Sequence, residues 1–140
     1  MTGKMIRYLT LLVLVLGLTT ACPANNNDVD PNNGPPVDTE EPTEAELISM
    51  GEPLYEQNCA RCHGADGGGL GGTYPMLAGS DMVTGDPEPV IEVIVHGRGA
   101  MPAFGGEFNN EEVAAVVTYI RNAWGNDASA VSPGDVEDVR

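Results

Sequence analysis

The chain changes character several times along its length. Tyr8 to Leu18 is a run of 11 mostly apolar residues, broken only by Thr10 and Gly17. Such a run is too short to span a bilayer. From Pro23 to Pro42 periodicity disappears, and the aliphatic residues larger than alanine are Val29 and Val37. A helical period then sets in. Thr43-Glu44-Ala45-Glu46 has the form of a capping box, and Leu47, Gly51, Leu54, Tyr55 and Asn58 follow at helical spacing. Pro53 lies inside this stretch and is expected to bend or divide it. Asp86-Pro87 predicts the N-cap and first position of a second helix, filled by Val90, Ile91, Val93, Ile94 and Val95 and ended by Gly97. Asn109 to Glu112 is another capping box, with Val113, Val116, Val117, Ile120 and Trp124 as the buried face behind it. Ser132-Pro133-Gly134-Asp135 caps a last short turn carrying Val136 and Val139. Seven glycines between Gly64 and Gly79 predict a loop. Ile91–Val95 taken alone could be a strand, but no partner strand is visible, so the domain reads as all-α.

The N-terminal stretch reads as an export signal. Lys4 and Arg7 form a positive n-region ahead of the apolar run, and the small residues Thr19, Thr20 and Ala21 precede Cys22. A cysteine directly after the apolar run resembles a bacterial lipoprotein signal, which makes Cys22 the expected lipid anchor. Thr19 stands where such signals usually carry leucine, with Leu18 one place earlier. The alternative is an ordinary signal cleaved after Ala21. Residues 1–21 are thus a lipoprotein-type signal peptide, 22–43 a disordered acidic, Pro-rich tether, and 44–140 the folded domain. Acids at positions 28, 30, 38, 40 and 41 and the prolines keep the tether extended. It is either a leash holding the domain off a membrane or a spacer of no required length. Localisation is expected to be periplasmic or on the outer face of the envelope.

Charge narrows the function classes. The 140 residues carry 6 Lys+Arg against 21 Asp+Glu, a formal net charge of −15. No basic stripe exists to neutralise phosphates, which excludes an ordinary nucleic-acid binder. Electrostatic attachment to anionic lipid is disfavoured for the same reason. With 18 Gly and only 7 aromatics, the domain needs a staple or a cofactor to complete its core.

The chemistry is concentrated in Cys59-Ala60-Arg61-Cys62-His63. In an exported chain, C-x-x-C-H reads most specifically as covalent attachment of heme c. Two thiols three residues apart at a helix end can each add to one vinyl group of a porphyrin, and the next histidine is then directed at the iron. A thioredoxin-like motif would need a βαβ context, and a zinc site would need four ligands, with only His96 left to help. Two of the three cysteines are consumed by thioethers, leaving Cys22 for lipid. Among Met50, Met76, Met82 and Met101, the last lies in Gly97-Arg98-Gly99-Ala100-Met101-Pro102, a loop suited to cross the distal face. Met101 is therefore the expected sixth ligand; a thioether favours reduced iron. Met50 is expected beside the attachment site and Met82 between two turns. His96 is a possible replacement ligand, read instead as a polar residue at a helix C-terminus.

These residues resemble the class I c-type cytochromes over about residues 45 to 127. The resemblance rests on Gly51 and Tyr55 ahead of Cys59–Gly64, then Pro75-Met76-Leu77-Ala78-Gly79, Gly99–Phe104 and Tyr119-Ile120-Arg121. It implies a small all-α fold of three to five helices around one heme, with first and last helices crossing at Gly51. It implies that the Pro75 carbonyl accepts the His63 N–H. It also implies that Leu77, Phe104 and Val95 pack on the porphyrin, with Cys59, Cys62, His63, Met101, Pro75 and Leu77 forming the heme site and His63 and Met101 ligating the iron. The tail, Arg121 to Asn126 with Val131-Ser132-Pro133 and Val136, resembles cytochrome c domains that serve membrane-bound dehydrogenases or terminal oxidases.

The expected function is single-electron shuttling by a monomeric, non-enzymatic carrier in a respiratory chain. Its expected partners are redox proteins: a dehydrogenase, a bc1-type complex or a terminal oxidase. The alternatives are a heme-based gas or redox sensor and a small peroxidase-like enzyme, both with a labile sixth ligand. Glu56, Asp66 and Glu107 are expected to complement a basic docking patch, or else only to keep the chain soluble. Arg98 would pair with a heme propionate or stand free in its loop.

Overall fold

The computed structural model describes residues 40–140. The expected signal peptide, most of the expected tether and Cys22, the expected lipid anchor, lie outside the described residues. Six helices follow one another: α1 (Glu44–Asn58), α2 (Ala60–His63), α3 (Asp81–Thr84), α4 (Glu88–His96), α5 (Asn110–Asn122) and α6 (Pro133–Glu137). Among the described residues there is no named strand. Two isolated antiparallel bridges, Leu70–Tyr74 and Arg98–Met101, close loops. No helix among them is long and apolar enough to cross a membrane.

The N-caps act as their sequences predict. Thr43 and Glu46 satisfy each other's backbone N–H groups at α1, Asn109 and Glu112 do so at α5, and Ser132 and Asp135 at α6. Two expectations change. Pro53 neither divides nor ends α1, which runs unbroken for 15 residues. Proline removes one N–H and crowds the preceding turn. The flanking turns are anchored by buried Leu47, Gly51 and Tyr55, and packing of that face outweighs the local cost. At α4 the cap moves by one residue: Pro87 is the N-cap, while the Asp86 carboxylate accepts the Glu88 N–H at 3.1 Å.

The frame is the crossing of α1 and α5. A Cβ at Gly51 would overlap the Ala115 carbonyl oxygen and stand 2.7 Å from Tyr119 Cβ, so only glycine permits this approach. Val113, Ala114, Ala115 and Val117 of α5 have no exposure at all. Trp124, expected on the buried face of α5, lies beyond its end at φ 54°. There it packs on Tyr55 and Tyr119, with ring centroids 5.0 and 5.6 Å away. The chain then returns along α5. Thr118 Oγ1 accepts from Val131 N at 3.0 Å, and Val131 and Val136 are fully buried.

Candidate cofactor site

The attachment motif sits on a tight helical turn. Helix α1 ends at Asn58, and the N–H groups of Cys62 and His63 both donate to the Cys59 carbonyl, at 3.0 and 2.9 Å. Both cysteines are free thiols and both are half-buried. Burial, and then the neighbouring Cys62, push the Cys59 thiol up to about 11.

His63 is oriented from across the glycine-rich loop. Its Nδ1 lies 2.9 Å from the Pro75 carbonyl oxygen. A carbonyl can only accept, so Nδ1 carries the proton and Nε2 keeps its lone pair. Among the described residues no buried side-chain nitrogen or oxygen lacks a partner, so the unpaired Nε2 must open onto free space. That space is a cavity of about 270 Å³, lined by His63 and Cys59 together with Pro75, Leu77 and Met101. Its remaining wall is largely aliphatic: Val83, Val90, Val93, Ile94, Val116 and Ile120. A second hollow of about 390 Å³ shares Cys59, His63, Tyr74, Ala100 and Met101 with it and adds Cys62, Arg61, Phe104 and Glu107. Thus a lone-pair imidazole, a thioether and two thiols border two adjoining hollows, the first walled mostly by apolar side chains. This donor set fits heme c.

The loops bearing Pro75 and Met101 are held independently. The N–H groups of Leu77 and Ala78 donate to the Gly67 carbonyl. Asn126 Oδ1 accepts from Gly79 N at 2.8 Å, and its Nδ2 donates to Leu77 O and Ile120 O. Trp124 Nε1 donates to Ala65 O at 2.9 Å. On the other side, Arg98 and Met101 exchange backbone hydrogen bonds at 3.1 Å each. Gly97 starts that loop at φ 73°, where a Cβ would press on the Met101 carbonyl oxygen at 2.7 Å. Arg140 closes it by donating to Gly105 O and Phe108 O.

The predicted residues distribute unevenly. Cys59, His63, Pro75, Leu77 and Met101 meet at one cavity, and Cys62 at the adjoining one. Met76 and Met82 also reach the first cavity, Met82 from α3 rather than from between two turns. Met50 instead lines a separate acidic groove with Glu41, Glu46 and Glu111. Val95, expected to cover the porphyrin, is absent from both linings, and its place is taken by Val93 and Ile94. Its carbonyl and side chain face Gly105. His96 is exposed, with Nε2 3.2 Å from Val139 O, and lines neither cavity. Arg98 lines the first cavity and donates to Met82 Sδ at 3.6 Å. Asn126 entered the sequence analysis only as the end of the Arg121–Asn126 stretch, with no role of its own: it stands between Gly125 and Asp127 beyond α5, and no period marks it.

A family model described as "Cytochrome C oxidase, cbb3-type, subunit III" matches residues 46–120. The chain belongs to this family of c-type cytochromes. The all-α fold and the resemblance to class I cytochromes c agree with that membership, which also implies heme c as the cofactor. The domain is similar to the cytochrome c subunit of a quinone alcohol dehydrogenase from Gluconacetobacter polyoxogenes, at 33% identity over 73% of this chain and 26% of that protein. It is similar to the gluconate 2-dehydrogenase cytochrome c subunit of Pantoea cypripedii, at 38% identity over 64% of this chain and 24% of that protein. It is also similar to the cbb3-type oxidase subunit CcoP of Azospirillum brasilense, at 30% identity over 59% and 30%. The cytochrome c domain here therefore spans about a quarter to a third of these relatives' length.

Proposed function

We propose that this protein is an extracytoplasmic mono-heme cytochrome c, tethered by a lipid on Cys22, that passes single electrons between redox enzymes. The observation that carries the reading is the His63 imidazole, locked by Pro75 with Nε2 free toward a cavity that Met101 also lines. Heme c supplies the one-electron Fe(III)/Fe(II) couple when bound. Cys59 and Cys62 would hold it by two thioethers, His63 Nε2 would be the proximal ligand and Met101 the distal one. Pro75 fixes the imidazole plane and tautomer, which stiffens the ligand. Leu77, Ile94, Val116 and Ile120 exclude water from the same space. Like the cytochrome c subunits it is similar to, the chain would act as an electron carrier rather than an enzyme.

The similarity to dehydrogenase cytochrome subunits and to CcoP supports redox enzymes as partners, with a dehydrogenase delivering electrons and a terminal oxidase accepting them; a bc1-type complex would be another donor. The chain would act as a monomer at the outer face of a membrane. Among the described residues no carboxylate is held in an ion pair; the four arginines there bond to carbonyls, a hydroxyl and a sulfur or remain unbonded. The acidic surface is thus unneutralised and would draw a basic docking face at low ionic strength.

The test is the visible spectrum of the full chain, made in a host that matures heme c, oxidised and then reduced with and without carbon monoxide. A low-spin c-type spectrum unmoved by carbon monoxide is expected, with the protein in the membrane fraction and released by Cys22→Ala. Reduction by the partner should slow as salt rises. A carbon monoxide shift would overturn Met101 ligation and point to a sensor or a peroxidase-like site. No covalent heme would overturn the reading outright.

A further inference from the structure

Arg121 is the largest of the fully buried side chains, at 2% exposure. Its guanidinium donates to four neutral acceptors and to no carboxylate. Nε donates to Ser129 O at 2.8 Å, Nη2 to Ser129 Oγ at 3.2 Å, and Nη1 to Val83 O and Gly85 O at 2.7 and 2.8 Å. Arginine stays protonated in proteins, so a full positive charge is buried there without an ion-pair partner. The acid that acts on it is Asp86, which is exposed and occupied in capping α4.

The position of that charge is specific. Val83, whose carbonyl it grips, forms the cavity wall together with Ile120, the residue before it, and Val116. These three are 5% exposed or less, so the medium between charge and cavity is apolar and poorly screening. Reduction of iron in the cavity lowers the charge of the site by one. A fixed positive charge in the wall therefore favours the reduced form. The four carbonyl and hydroxyl acceptors need only hydrogen-bond donors; a guanidinium adds a permanent charge to the same clamp.

We propose that Arg121 is an electrostatic tuning residue that raises the reduction potential of the cofactor, beyond its part in fastening the C-terminal segment. The proposal rests on the heme reading above. The test is spectroelectrochemical titration of the heme-loaded full chain and of Arg121→Gln, Arg121→Lys and Asp86→Asn. At a fixed solution potential, Arg121→Gln should hold about tenfold less Fe(II) relative to Fe(III), which is 59 mV for one electron. Arg121→Lys keeps the charge and should keep the potential, although both variants melt earlier. Asp86→Asn keeps the helix cap and should move the potential upward, most at low ionic strength. Should Arg121→Gln fail to load heme, Asp86→Asn decides: a rise supports the proposal and no change overturns it. A loaded Arg121→Gln at the native potential, or an Arg121→Lys that falls with it, also overturns it. Absence of heme from the native protein overturns the functional reading and this proposal together.

Discussion

The attachment turn and the segment after α5 show opposite ways of building one site. In Cys59–His63 every backbone hydrogen bond closes within a few residues, and the spacing of the side chains is itself the chemistry. From Ala123 onward the segment holds itself by side-chain bonds to distant residues. Asn126 reaches Gly79, 47 positions away, and Trp124 reaches Ala65, 59 away. The family match ends at residue 120, before this segment begins. The two thiols and the His63 imidazole come from the local turn, whereas the loop that orients His63 is held in register from far along the chain. Chemistry is thus separable from the clamp that aims it.

The largest effect should come from the turn. His63→Ala is expected to abolish low-spin heme, cutting holoprotein recovery by more than about tenfold, as read by the pyridine hemochrome of purified protein. Retention of a native spectrum would break the assignment of that turn as the site. Next comes the clamp. Asn126→Ala removes three hydrogen bonds from a residue only 8% exposed and leaves Gly79 N unmet. A loss of about 2–3 kcal/mol in denaturant titration is expected, with heme still attached. If heme attachment failed as completely as in His63→Ala, the two regions would not be separable. The smallest effect is at the far end of α1. Hydrogen bonds from the Thr43 side chain and backbone lower the pKa of Glu46. A depressed carboxyl contributes stability that is present above its unfolded value of 4.5 and lost as pH falls through the folded value. The protection factors of amides in the first turn of α1 should therefore fall as pH drops below 4.5 while those of α5 hold. Uniform exchange across both helices would show that the cap acts on the whole fold.

Much of the fold was legible because its signals are local. Capping boxes at Thr43, Asn109 and Ser132 and the C-x-x-C-H spacing depend on residues three or four apart, and each appears where its pattern stands. The division of α1 expected at Pro53 does not occur, because a local propensity was read without the packing of Gly51 on Ala115. Val95 was misplaced by one face of α4, since a short apolar run fixes which residues are buried but not which neighbour buries them. The contacts of Asn126 and Arg121 were not legible, because both reach residues far along the chain and neither belongs to a period.

The sequence by itself determined the C-x-x-C-H spacing, the starts of α1, α5 and α6 and the acidic character, all of which follow from composition or from neighbours within one turn. Only the tertiary structure decided the tautomer of His63, which residues wall the cavity beside Met101, and where the buried charge of Arg121 lies. Those properties depend on distances between segments that share no local pattern, and a distance across the fold exists only once α1 and α5 have crossed.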